Sequence, residues 1–177
     1  MSDRSEPPSG RPAARSALAG VAYLGPAGTF SEEALRASAQ PQTVEPVASA
    51  SIYDAVMALR RGEVSWAIVP IENSLEGSIN VTLDLLAEEA DDVKIVGETL
   101  LRIKHALVGA QAMALEEIDT VITHPQVPGQ CTDFLRGELP RARVLPASST
   151  AEAVRAVVAD ARPGQAAIAT TLAAEIY

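Results

Sequence analysis

Short apolar runs alternate along this chain with stretches of helical spacing, and that alternation predicts an α/β fold built on parallel strands. The run VAYLG from Val21 reads as a strand closed by Gly25 and Pro26. TFSE then reads as a capping box, Thr29 at the cap and Glu32 three residues on, opening a helix to about Ser38. TVEPV is a short strand whose Pro46 marks an edge or an end. Ser51 caps a helix with Ile52, Val56 and Leu59 on one face and Gly62 closing it, and WAIVPI is the third strand. Beyond Gly77 a helix is expected from about Asn80 to Glu89. The long run VKIVGETLLRIKHALVG follows as strand, with a bend at Gly97. IDTVITH is another strand, and the helix after it, opened by Pro125 and reaching about Arg136, carries Gln126 and Gln130 one turn apart. ARVLPAS, a helix capped by Ser149 with Glu152 as its box partner, and a last strand AAIAT complete the pattern. A boundary between two α/β halves is expected at Ile71–Asn73.

Composition narrows the class. The chain has 177 residues, 47% of them hydrophobic, enough for one sizeable core or two small ones. Aromatics are only 3%, so that core must be aliphatic. A net charge of -9 without a visible basic patch argues against nucleic acid as a partner. A small anion remains admissible, because local backbone dipoles can outweigh net charge. The single cysteine, Cys131, allows no intrachain disulfide, and with two histidines offers no metal-ligand spacing. No apolar run approaches bilayer length, and the Pro-, Ser- and Arg-rich residues 1–20 lack the apolar stretch of a signal peptide. They read as a disordered leader on a cytoplasmic protein.

Four strand-to-helix junctions are polar and small: Gly25 to Thr29, Glu72 to Asn80, Thr123 to Gln126, and Ala147 to Thr150. In open α/β sheets ligands bind at that edge, and helix amino termini there favour an anion. Each junction also has an ordinary explanation. Thr29, Ser51 and Ser149 suffice as helix caps, Gln126 and Gln130 as an exposed face, His105 as a satisfied strand histidine and Cys131 as a small core residue. Glu72-Asn73-Ser74 stands apart, because a carboxylate and an amide directly end a strand expected to be buried.

Taken together, YLGPAGTFSEEAL, AIVPIENSLEGSINVTLDLL, IVGETLLRIKHALVG, THPQVPGQC, ASSTAEAV and AAIATTLAAEIY resemble the prephenate dehydratase family, in its order, from Val21 to Tyr177. The resemblance implies a bilobal fold like that of type II periplasmic binding proteins. It puts one subdomain at about 21–72 and a second at about 73–177, with a return segment to the first missing. It implies conversion of prephenate to phenylpyruvate, carbon dioxide and water in phenylalanine biosynthesis, without cofactor or metal. It also implies a homo-oligomer, dimer or tetramer, in the full-length family, and no membrane partner. Carried over by position, Glu72, Asn73 and Gln130 are the implied catalytic residues. Thr29, Ser31, Thr123, Ser149 and Thr150 are the implied substrate-binding residues. Whether Glu72 donates a proton or only positions the substrate is left open.

The departures are also specific. Pro128 and Gly129 stand where the family keeps a plainer helical sequence, and a kinked helix start is expected there. The family's Thr-Arg-Phe motif and the regulatory ACT domain of many members do not occur in these 177 residues. The chain is therefore expected to be a dehydratase domain cut short, feebly active and prone to associate. The alternative is a noncatalytic module on the same bilobal fold that binds an aromatic precursor or amino acid.

Overall fold

The computed structural model describes residues 19–38, 44–75 and 77–177. The leader expected over 1–20 lies outside these except for its last two residues. Those already belong to the first strand, β1, which spans Ala19–Leu24. β1 pairs in parallel with β2, Val44–Ser49, on one side and with β3, Trp66–Ile68, on the other. The central position of β1 explains its unbroken apolar sequence: Val21, Ala22 and Tyr23 are buried, as a strand covered on both faces must be. Pro46 lies on the edge strand β2, where its missing N–H costs no ladder bond.

Helix α1 spans Phe30–Ser38 and α2 spans Ile52–Arg60. Ser51 caps α2 as the sequence predicts, its Oγ accepting from the Asp54 N–H at 3.0 Å. Ala55 and Ala58 of α2 meet Ala22 and Val64 on the sheet. Val56 and Met57 turn the other way, onto Leu85 and Ala90.

The third strand is shorter than expected. WAIVPI keeps ladder pairing only to Ile68. Glu72–Asn73 forms its own two-residue strand, β4, antiparallel to β5, Gly77–Ser78. The run does not end on a carboxylate; it turns into a small hairpin. Next comes α3, Asn80–Asp84, prolonged by a π-helical turn over Leu85–Glu89, so a helix does run from Asn80 to Glu89. Leu85 and Ala90 of this segment pack on Val56 and Met57 of α2.

The long strand expected from Val93 is mostly absent. Only Ala106–Gly109 pairs, as β6. Residues 93–105 join no ladder, with Ile95, Val96 and Leu100 exposed by 66%, 74% and 94%. β-branched composition describes a surface that fits a sheet, and it forms a strand only where a partner strand is supplied.

The second sheet has the order β6-β9-β7-β8, with β7 at Thr120–Thr123, β8 at Arg143–Pro146 and β9 at Gln165–Ala169. β7, β8 and β9 are parallel, and β6 is antiparallel to β9. Alternation along β9 splits the core. Ala167 and Ala169 face α6, Thr150–Asp160, through Ala151, Val154 and Val157. Ala166 and Ile168 face Val127 and Leu139 on the other side. Alanines on β9 allow close approach, which suits a chain with few aromatics.

The helix expected from Pro125 to Arg136 is two helices: α4, Val127–Gln130, and α5, Thr132–Glu138, broken at Cys131. The disturbance that Pro128 and Gly129 suggest is real, and it falls just after them. A short last helix, α7, spans Thr171–Ile176. The result is a bilobal α/β architecture of the type II periplasmic-binding kind, with a three-stranded sheet in the first lobe, a four-stranded sheet in the second, and the separate β4–β5 hairpin.

Candidate functional site

Strand register brings four chain segments to one edge of the second sheet. Thr123 ends β7, and Ala147 to Ser149 follow β8. Thr170 follows β9. Because β6 runs antiparallel, its first residue, Ala106, lies beside Ala169. His105 therefore sits on the same edge as the strand ends.

The first lobe's loop closes on this edge. Thr170 Oγ1 donates to the Gly28 carbonyl at 2.6 Å, in a buried bond, while accepting from the Ala173 N–H at 2.8 Å as the cap of α7. The Tyr177 hydroxyl donates to the Ala27 carbonyl at 2.9 Å. Gly28 takes φ +84, and a Cβ there would lie 2.9 Å from Ala173 Cα, so both conformation and space require glycine. Its N–H donates to Glu32 Oε2 at 2.7 Å. Glu32, only 3% exposed, also accepts from Arg36 at 2.6 Å and from the Tyr23 hydroxyl at 3.4 Å. Burial first, and then the Glu32 carboxylate, push the Tyr23 phenol up to about 12.

The predicted box at the start of α1 is thus rearranged. Thr29 Oγ1 does not cap the helix; it donates back to the Leu24 carbonyl at 2.9 Å. Glu32 reaches Gly28 in place of the cap residue. The Phe30 ring stands edge-on to the His105 ring, 5.3 Å between centroids at 82°. Ser31 is half-buried and forms no side-chain hydrogen bond among the described residues.

On the second lobe, His105 Nε2 lies 2.9 Å from Gln130 Oε1. His105 Nδ1 is buried with no partner among the described residues, and the residue lies just before β6, so the expectation of a satisfied strand histidine is corrected. Both residues line an open groove of about 660 Å³, together with Leu107, Thr132, Phe134 and Ile168. Cys131 also lines it, and burial pushes its thiol up, in keeping with a small packing residue. Thr123, fully buried, donates its hydroxyl proton to the Ile168 carbonyl at 2.6 Å, so its side chain braces β7 against β9. Ser149 Oγ accepts from the Glu152 N–H at 3.0 Å, which leaves its own proton for a ligand. Thr150, buried at the first turn of α6, makes no side-chain hydrogen bond among the described residues.

Glu72 and Asn73 behave differently from the others. Glu72 is exposed, and Asn73 Oδ1 accepts from the Leu75 N–H at 3.0 Å, holding the hairpin turn. No hydrogen bond, ion pair or ring contact joins either to the second sheet's edge. The structure thus puts Thr123, Ser149 and Thr150 at strand ends of one edge and Gln130 against His105 on that edge, with Thr29 next to the Gly28 that Thr170 holds, while Glu72 and Asn73 form a separate hairpin. Sequence reasoning missed Thr170 and Phe30. The bond of Thr170 to Gly28 spans 142 residues, and no local pattern encodes it. Among the described residues no group of three or more His, Cys, Asp or Glu could hold a metal ion, and no helix is long and apolar enough to cross a membrane.

Fold and site define a class: a two-lobed α/β protein whose polar strand ends and helix amino termini in one lobe meet a loop from the other. The chain belongs to the prephenate dehydratase family, whose sequence model matches residues 21–177. The prephenate dehydratase of Amycolatopsis methanolica is 41% identical over 162 residues, covering 89% of this chain and 50% of that protein. The structure of prephenate dehydratase from Arthrobacter aurescens in complex with L-Phe superposes with a TM-score of 0.82 at 34% identity, covering 89% of this chain and 52% of that one. A quorum-quenching acylase superposes at 0.74 with 26% identity, over 89% and 55% of the two chains. The chain spans about half the length of these relatives. The acylase shows that this fold alone does not fix a chemistry.

Proposed function

We propose that this chain carries prephenate dehydratase chemistry, the decarboxylating dehydration of prephenate to phenylpyruvate, in phenylalanine biosynthesis in the cytoplasm. One observation supports it most: Ser149 and Thr150, on a motif that resembles the family's, follow β8 on the strand-end edge that holds His105, the partner of Gln130, and Gly28 and Phe30 of the first lobe reach that edge. In the reaction the ring–carboxylate bond breaks and its electrons restore aromaticity. The ring hydroxyl leaves as water once protonated. The protein's work is to hold a dianion and to help that hydroxyl depart.

The amino terminus of α6 offers unpaired N–H groups and a positive dipole end to a carboxylate, with the Ser149 and Thr150 hydroxyls beside it. The amide of Gln130 addresses the substrate from the groove side. Thr29 and Thr123 shape the site through the backbone they brace, and Ser31 lies in the first turn of α1, next to the closing loop. Glu72 and Asn73 reach the substrate only if the hairpin swings toward the edge, so they are second-rank members of the site. We place the division between the lobes in residues 94–105, because packing on α2 persists to Val93.

The experiment is phenylpyruvate formation from prephenate, followed by absorbance in alkali, for the wild-type chain and for Gln130→Ala and Thr150→Val. Loss of turnover in both variants with unchanged melting supports the reading. Undiminished turnover in both removes this edge as the site.

A further inference from the structure

The His105–Gln130 pair has a feature that the family resemblance does not assign. Nε2 of the ring lies 2.9 Å from Gln130 Oε1, and Nδ1 is buried without a partner. A carbonyl oxygen only accepts, so the ring must carry its proton on Nε2. The opposite arrangement, with the amide nitrogen turned to the ring, would leave a buried Nδ1–H with nothing to receive it. An orphaned donor is rarer and costlier than an orphaned acceptor, so the first arrangement is favoured.

We infer that His105 is a positioning residue: its Nε2–H holds the Gln130 carbonyl oxygen and so presents the amide NH2 group to the substrate in the groove. This rests on the proposed dehydratase reading and adds a residue to it. Without the histidine, a glutamine amide can turn over and offer oxygen where the anion needs a donor. The ring is itself held from both lobes. Phe30, the first residue of α1, meets it edge-on at 5.3 Å, and the next residue, Ala106, begins β6 beside Ala169. The first lobe's loop thereby controls the orientation of a second-lobe amide.

The test has a spectroscopic arm and a kinetic arm. Two histidines make ring-nitrogen correlation spectra simple, with His124→Gln assigning the signals. The expected result is the Nε2–H tautomer for His105, and Gln130 amide resonances that shift and broaden in His105→Leu. A His105 proton on Nδ1 overturns the proposal. In the kinetic arm, His105→Leu should lose roughly 10–100-fold in kcat/KM, the worth of one hydrogen bond to a charged group. His105→Gln, whose amide N–H reaches the Nε2 position, should recover most of it. In a Gln130→Ala background, His105→Leu should have no further effect. Losses that multiply in the double variant, or a His105→Gln as damaged as His105→Leu, would overturn positioning in favour of a separate role. If the wild-type chain does not turn over prephenate, the dehydratase reading fails by itself. The tautomer and the response of the Gln130 amide to His105→Leu then still decide the pairing. A His105→Leu that does not fold leaves the decision to the tautomer and to His105→Gln.

Discussion

Gly28 and its neighbours concentrate much of what joins the two lobes into two peptide groups. The N–H of Gly28 goes to Glu32 and its carbonyl takes the Thr170 hydroxyl. Gly28→Ala combines a positive φ with a Cβ 2.9 Å from Ala173, and should cost more than about 1 kcal/mol in denaturant unfolding. Thr170→Val should cost roughly 1–3 kcal/mol, since it leaves a buried carbonyl unpaired and removes the cap of α7. Tyr23 gives the pH dependence. Its phenol is pushed from 10.0 to about 12 in the folded protein, so the neutral form is favoured there. The associated stability is fully present below pH 10 and is lost as pH rises toward 12, at most roughly 2–3 kcal/mol. Tyr23→Phe should flatten the fall in stability across that window. Absorbance titration of the wild type should show one of its tyrosines ionising late.

Among the elements, those set by local chemistry were legible in the sequence. Ser51 and Ser149 cap their helices with the bonds that their residue types predict. The four second-lobe strands lie where apolar runs were found, though the first of them is far shorter than its run. Elements that depend on a partner were not legible. Residues 93–105 carry strand composition but have no neighbouring strand, and nothing within the stretch reports that. Asn73 and Glu72 read as the end of a buried strand because the sequence does not show that residues 77–78 fold back on them. Thr29 read as a cap, yet its hydroxyl turned to Leu24 once Gly28 had been claimed by Glu32. The exposed run carries its own prediction. Val96→Lys and Leu100→Lys should change folding stability by no more than about 0.5 kcal/mol, because both side chains already face water. If thermal melts show a larger loss, that run is packed in solution.

At the scale of the whole molecule, Ile95, Val96, Leu100 and Ile103 form an exposed apolar run beside unpaired backbone. Such a surface invites association, so light scattering on the 177-residue chain should show self-association that Val96→Lys/Leu100→Lys reduces. The groove lies in the second lobe and includes His105, on the edge that the first lobe's loop reaches through Gly28, and prephenate is its proposed occupant. Titration calorimetry of prephenate into the wild-type chain and into Gln130→Ala measures that occupancy directly. We predict saturable one-to-one binding that weakens roughly tenfold or more in the variant, as loss of a hydrogen bond to a charged ligand requires. Equal affinity in the two proteins, or no binding heat in either, would contradict the account.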